Sequence, residues 1–160
     1  MREDKIIQAV AAFAGVKRRF EYKVKTPTKV LIDDYAHHPE ELNALITGIR
    51  SIFPGEKMVL IFQPHLYSRT KDQCDGFVST LDKADEVILL PIYPARELPM
   101  EGVSSEMLLN KMSLSNKKIM SKDQLFDWAA HTKDKLVVMA GAGDIDVCIT
   151  KVQEIFTQKA

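Results

Sequence analysis

Chemistry-bearing side chains crowd into one stretch of the chain, Asp33-Asp-Tyr-Ala-His-His-Pro39. A carboxylate accepts hydrogen bonds only and is a hard ligand. Asp33 or Asp34 could therefore hold a ribose hydroxyl or a metal-bound water. His37 or His38 could donate to a base or a phosphate oxygen. The plainer alternative is that one acid and one histidine cap nearby backbone groups, as Asx turns do. Zinc is disfavoured: adjacent histidines rarely converge on one ion, and no cysteine or spaced third histidine completes a set.

Three further groups invite the same question. In Gln63-Pro-His-Leu-Tyr-Ser-Arg-Thr70, the residues His65, Tyr67 and Arg69 could clamp a carboxylate, since the planar guanidinium pairs with it through two parallel hydrogen bonds. The bland alternative is an arginine on a solvated helix start. Gly141-Ala-Gly143 is half of a dinucleotide fingerprint, but Asp146 stands where the third glycine belongs. It remains either a close backbone approach to an anion or simple helix–strand packing. Lys17-Arg18-Arg19 is a cluster of cations beyond an N-terminal helix, either solvated surface or a phosphate contact at Arg18 or Arg19. No G-x-x-x-x-G-K-[ST] loop is present, and no serine or cysteine triad is legible.

The elements that must position these groups alternate. A helix is expected over 3–14, ended by Gly15, with Ile6, Ala9, Val10 and Phe13 on one stripe. Glu3 and Asp4 argue against a secretory leader there. Phe20–Val24 and Lys29–Ile32 flank a Thr-Pro-Thr turn and predict an edge hairpin. Pro39 opens a helix over 39–53 with Leu42, Leu45, Ile46, Ile49 and Phe53 at helical spacing. Strands follow over 57–62, 86–90 and 135–140, with a short edge strand near Ile119. Helices are expected from the 63–70 turn through about Leu81, over 104–112, 123–131 and 145–156. The loop 91–102 is proline-rich and carries Tyr93, Arg96 and Glu97. Such alternation predicts an α/β, three-layer domain with a mostly parallel sheet and an antiparallel edge hairpin. In that architecture the turns 33–38, 63–70 and 141–144 all leave the carboxyl ends of strands and could share one cleft.

Composition sets the outer bounds. The 160 residues suit one domain, 46% of them apolar and 28% charged. Lys+Arg and Asp+Glu balance at 22 each, so no global field attracts nucleic acid or an anionic membrane. No apolar run reaches the ~20 residues needed to cross a bilayer. Cys74 and Cys148 lie far apart without C-x-x-C spacing, which fits reduced thiols and a cytoplasmic location.

Taken together, Gly15-Val-Lys-Arg-Arg-Phe20, Asp33-Asp-Tyr-Ala-His-His-Pro39, Phe62-Gln-Pro-His-Leu-Tyr-Ser-Arg-Thr70 and Gly141-Ala-Gly-Asp-Ile145 resemble the C-terminal domain of Mur ligases. The resemblance is strongest to the branch that adds L-alanine to UDP-N-acetylmuramate in peptidoglycan synthesis, and it spans nearly the whole chain. It implies a Rossmann-like third domain of a three-domain cytoplasmic enzyme, whose UDP-sugar and ATP-binding domains are not in this sequence. It also implies ATP and Mg²⁺ as cofactors, an acyl-phosphate intermediate, and a fragment inactive by itself. Matched by motif, Arg19, Asp34 and His37 would be catalytic, and Arg18, Asp33 and His37 nucleotide-binding, the register within each doublet staying open. Tyr35, His65 and Arg69 would line the L-alanine site. Many family members carry arginine where this chain has Leu66, which leaves more of the clamp to Arg69 and His65. The alternatives are a murein-tripeptide recycling ligase, a folylpolyglutamate synthase domain, or a stand-alone module that binds a nucleotide or an amino acid. A purely structural domain would leave three polar strand-end turns unexplained.

Overall fold

The computed structural model describes residues 3–13 and 15–158. After helix α1 (Glu3–Ala11) the chain forms an antiparallel hairpin of β1 (Glu21–Lys25) and β2 (Val30–Asp34). There follow α2 (Pro39–Ile52), β3 (Met58–Phe62), α3 (Tyr67–Asp72), α4 (Cys74–Leu81) and β4 (Glu86–Leu89). Then come α5 (Ser105–Lys111), β5 (Lys117–Ile119), α6 (Lys122–His131), β6 (Leu136–Ala140) and α7 (Ile145–Thr157). The six strands lie in the order β1-β2-β6-β3-β4-β5, parallel except for β1. The α/β three-layer architecture with its edge hairpin is as expected.

Strand alternation divides the core. Ile32, Met58, Leu60, Phe62, Val87, Leu89 and Val138 face α2, α4 and α5, with Phe62 and Phe77 ring centroids 5.4 Å apart. Leu31, Val59, Ile61, Ile88, Val137 and Met139 face α6 and α7. Because both faces are covered, β3 and β6 are buried along their full length and read as continuous apolar runs. Cys74 and Cys148 are free thiols buried in the two layers.

Two expectations are corrected. The first helix ends at Ala11, short of Gly15, with Ile6, Ile7 and Val10 exposed, and Ala14 lies outside the described residues. The single helix expected through Leu81 is two, because Gln73 leaves helical geometry (φ −106°, ψ 15°) for the sparsely allowed bridge region. That bend separates α3, which carries Arg69, from α4, which buries Phe77 and Leu81. No helix among the described residues is long and apolar enough to cross a membrane.

Candidate functional site

The carboxyl ends of β2, β6, β3 and β4 stand side by side, so the turns that follow them meet at one sheet edge. β6 re-enters between β2 and β3 after the chain has visited β4 and β5, which makes this a topological switch point where open α/β sheets bind ligands.

In the first turn the doublets separate into inner and outer members. Asp34 accepts the backbone N–H of Ala36 on Oδ1 and of Phe20 on Oδ2, each at 2.8 Å. It therefore ties the 18–20 segment to the end of β2, with the Asx-turn geometry that its local sequence allows. Asp33 is buried at 2% exposure beneath Arg18. Arg18 Nε lies 3.5 Å from Asp33 Oδ1, close enough for charge attraction but not for a hydrogen bond, and both atoms lack a hydrogen-bond partner. Burial pushes the Asp33 carboxyl above its ordinary range, against the downward pull of Arg18. Arg18 also donates from Nη2 to the Gly141 carbonyl at 2.6 Å and sits 5.1 Å over the Tyr35 ring. It thereby joins the first turn to the third. Arg19 is exposed and lines a cavity of about 330 Å³ with Asp34, Tyr35 and Glu41.

His37 and His38 likewise differ. His38 precedes Pro39 as the cap position of α2, and Glu41 Oε2 accepts both the His38 N–H at 3.1 Å and the His37 N–H at 2.9 Å. The His37 ring contacts the cleft: its Nδ1 is 2.9 Å from the Tyr35 carbonyl and 3.2 Å from Glu41 Oε2. Four rings then form a row across the strand ends. Tyr35 and His37 centroids are 5.1 Å apart, His37 and His65 are 6.1 Å apart, and His65 stacks on Tyr93 at 5.6 Å.

The second turn places Arg69 Nη1 3.1 Å from His65 Nδ1. A guanidinium can only donate, so Nδ1 is the acceptor and the imidazole proton resides on Nε2. Burial, and then the charges of Arg69 and His37, hold His65 below the ordinary histidine value of 6.5, with Glu97 opposing. The neutral ring is what lets it accept from Arg69 and donate from Nε2. The unfolded chain takes up this proton first. The corresponding stability is therefore present above 6.5 and is lost as pH falls from 6.5 through the folded value. His65→Gln is expected to flatten that loss, read as the difference in melting temperature between about pH 7.5 and about pH 5.5.

The third turn is knitted to the second by Gln63, buried at 3% exposure. Its Oε1 accepts the Ile145 N–H at 2.9 Å, and its Nε2 donates to Asp144 Oδ1 at 2.8 Å. Asp144 is paired in turn with Lys122. Gly141 (φ 150°) lets the backbone pass the Gln63 carbonyl, and Gly143 lies against Tyr93. Here the packing alternative describes the glycines. Leu66, between His65 and Tyr67, has φ 71°, a strained value for a branched side chain that costs on the order of 1–3 kcal/mol. Its N–H donates to the Tyr93 carbonyl at 2.9 Å, and its carbonyl accepts the Thr70 hydroxyl at 2.7 Å. Gln63, Tyr93 and Glu97 belong to the site's framework and were not singled out from sequence as site residues. No local spacing reveals them, since their partners lie about thirty to eighty residues away.

The site thus offers one unburied cation beside a cavity, Arg19, and an arginine–histidine pair beside a row of rings. Among the described residues, no three His, Cys, Asp or Glu side chains converge to hold a metal ion. Comparison with known proteins covers nearly the whole chain. The UDP-N-acetylmuramate–L-alanine ligase of Flavobacterium johnsoniae is 46% identical over 155 residues, covering 97% of this chain and 34% of that protein. The ligase of that name from Cytophaga hutchinsonii is 47% identical over 156 residues, covering 98% and 34%. The chain therefore spans about a third of the length of these relatives. Among solved structures, a UDP-N-acetylmuramate–alanine ligase from Thermotoga maritima superposes with a TM-score of 0.74 at 26% identity, over 97% of this chain and 33% of that one. A murein peptide ligase from Psychrobacter arcticus shares the fold, with a TM-score of 0.69 at 20% identity, over 92% and 32%. The family model for the Mur ligase, glutamate ligase domain, matches residues 18–143, from the arginine that closes the first turn to the glycine that packs on Tyr93, and the chain belongs to that family.

Proposed function

We propose that this chain is the amino-acid-presenting C-terminal domain of a cytoplasmic, ATP-dependent ligase that joins L-alanine to UDP-N-acetylmuramate in peptidoglycan synthesis. In this reading the UDP-sugar and central ATP-binding domains lie outside the sequence. The observation that carries the proposal is the Arg69–His65 pair, a fork and an Nε2–H donor at the sheet's switch point. Its support beyond geometry is the 46% and 47% identity, over nearly all of this chain, to a third of two ligases of that name.

Each residue then has a task. Arg69 takes the amino-acid carboxylate in bidentate fashion, and His65 keeps the guanidinium oriented while offering its own N–H. Tyr35 and His37 wall the cleft between that carboxylate and the first turn. Arg19, exposed beside its cavity, is the residue that fits a nucleotide phosphate, whereas Arg18 and Asp33 brace each other and the Gly141 turn. Bound ATP with Mg²⁺ supplies the activation of the sugar's carboxyl. What this domain contributes is proximity and orientation: holding the carboxylate end fixed aims the amine at its acceptor.

The test is ADP release by the intact reading frame, given ATP, Mg²⁺ and UDP-N-acetylmuramate with each amino acid and the recycling tripeptide in turn. Release with L-alanine is expected, and none from the 160-residue chain alone. Release only with the tripeptide would replace this proposal by the recycling ligase. Alanine-dependent release by the short chain would overturn the division of labour.

A further inference from the structure

The loop between β4 and α5 touches the candidate clamp through Tyr93 and Glu97. A turn closed by the Glu97 N–H on the Pro94 carbonyl at 2.9 Å, with Ala95 at φ 52°, swings the Glu97 carboxylate onto the start of α3. There it accepts the Ser68 N–H at 3.0 Å on Oε2 and the Ser68 hydroxyl on Oε1. Four residues earlier, the Tyr93 N–H donates to the Pro64 carbonyl at 2.9 Å, its carbonyl holds the Leu66 N–H, and its ring lies flat on His65. These contacts flank Leu66, whose strained backbone persists only where its surroundings over-determine it. Arg69 is the next residue after Ser68, so the pose of the guanidinium depends on how the first turn of α3 is fixed.

We propose that Glu97 is the positioning residue of the amino-acid site: it locks the first turn of α3 so that Arg69 and His65 stay in register, with Tyr93 bracing the opposite face of His65. This rests on the carboxylate-clamp reading and adds to it a residue that touches no substrate. A carboxylate is suited to the task because it accepts several donors at once, whereas glutamine offers one acceptor oxygen for the same groups.

The experiment uses the intact ligase with Glu97→Ala, Glu97→Gln and Ser68→Ala. Glu97→Ala is expected to raise the KM for L-alanine about tenfold, Glu97→Gln less, with kcat and the KM values for ATP and UDP-N-acetylmuramate within about twofold of the parent. Glu97→Ala combined with Ser68→Ala should cost less than the two losses multiplied, because both cut one contact. A rise shared by all three substrates, or none, would overturn the proposal. If the enzyme takes a different amino acid, the selective rise is expected for that one, which refutes alanine and leaves Glu97 in place. Ring ¹⁵N NMR of His65 in the 160-residue chain gives a readout independent of substrate. The Nε2–H tautomer should dominate in the parent and become mixed in Glu97→Ala, and an unchanged tautomer counts against the proposal.

Discussion

Arg69→Ala in the intact enzyme is expected to lower kcat/KM for L-alanine about 10²- to 10³-fold, the cost of leaving a desolvated carboxylate without its charged partner. The KM values for ATP and UDP-N-acetylmuramate should stay within about twofold, since Arg19 and the neighbouring domains hold those groups in the proposed arrangement. Arg69→Lys retains the charge but not the fork, and it should recover only part of the loss. The arginine also fixes its neighbour: its Nη1 donates to His65 Nδ1 at 3.1 Å, so its removal frees the histidine tautomer as well. Steady-state kinetics with each substrate varied in turn would decide the matter. Equal losses for all three substrates would move Arg69 from carboxylate binding to general support of the fold.

Gly143→Ala should produce the largest loss of stability. A Cβ there would sit 2.5 Å from Tyr93 Cβ, 2.6 Å from Tyr93 Cγ and 2.6 Å from Gln63 Oε1. None of these atoms is the free end of a flexible chain: Tyr93 is stacked on His65, and Gln63 is held by Ile145 and Asp144. Overpacking of this kind costs about 3 kcal/mol, or roughly 10 °C in melting temperature for a domain of this size. The backbone φ at Gly143 is not in the left-handed region, so the effect would come from space alone. Thermal unfolding of the 160-residue chain would measure it, and a change under about 2 °C would show that Tyr93 can yield. If Tyr93 does move, the His65 tautomer should respond, because the displaced ring is its stacking partner.

The sequence carried the strand and helix alternation well because β3 and β6 are uninterrupted apolar runs and α2 has a regular stripe after Pro39. The meeting of three turns at one edge followed from parallel strands alone. The break at Gln73 was not legible, since Gln73 is an ordinary helix former and the bend is imposed by packing on either side. Nor could spacing separate Arg18 from Arg19, or Asp33 from Asp34. Which member turns inward depends on the hairpin register and on a positive φ at Arg18. Glu97 stayed hidden for a different reason: it caps a helix 29 residues away from within a proline-rich loop.

The central position of β6 also governs how this domain comes into being on the ribosome. β6 fills the gap between β2 and β3, pairing Leu136 with Val30 on one side and with Met58 on the other. Until that late strand emerges, β2 and β3 present open apolar edges with no partner between them, the situation in which nascent chains associate wrongly. Closure joins segments more than a hundred residues apart, which makes for slow folding. It also means that the first and second turns meet, and the row of rings from Tyr35 to Tyr93 forms, only when nearly the whole sequence has been synthesised. A chain halted before residue 136 would have every residue of the proposed clamp and no cleft to hold them.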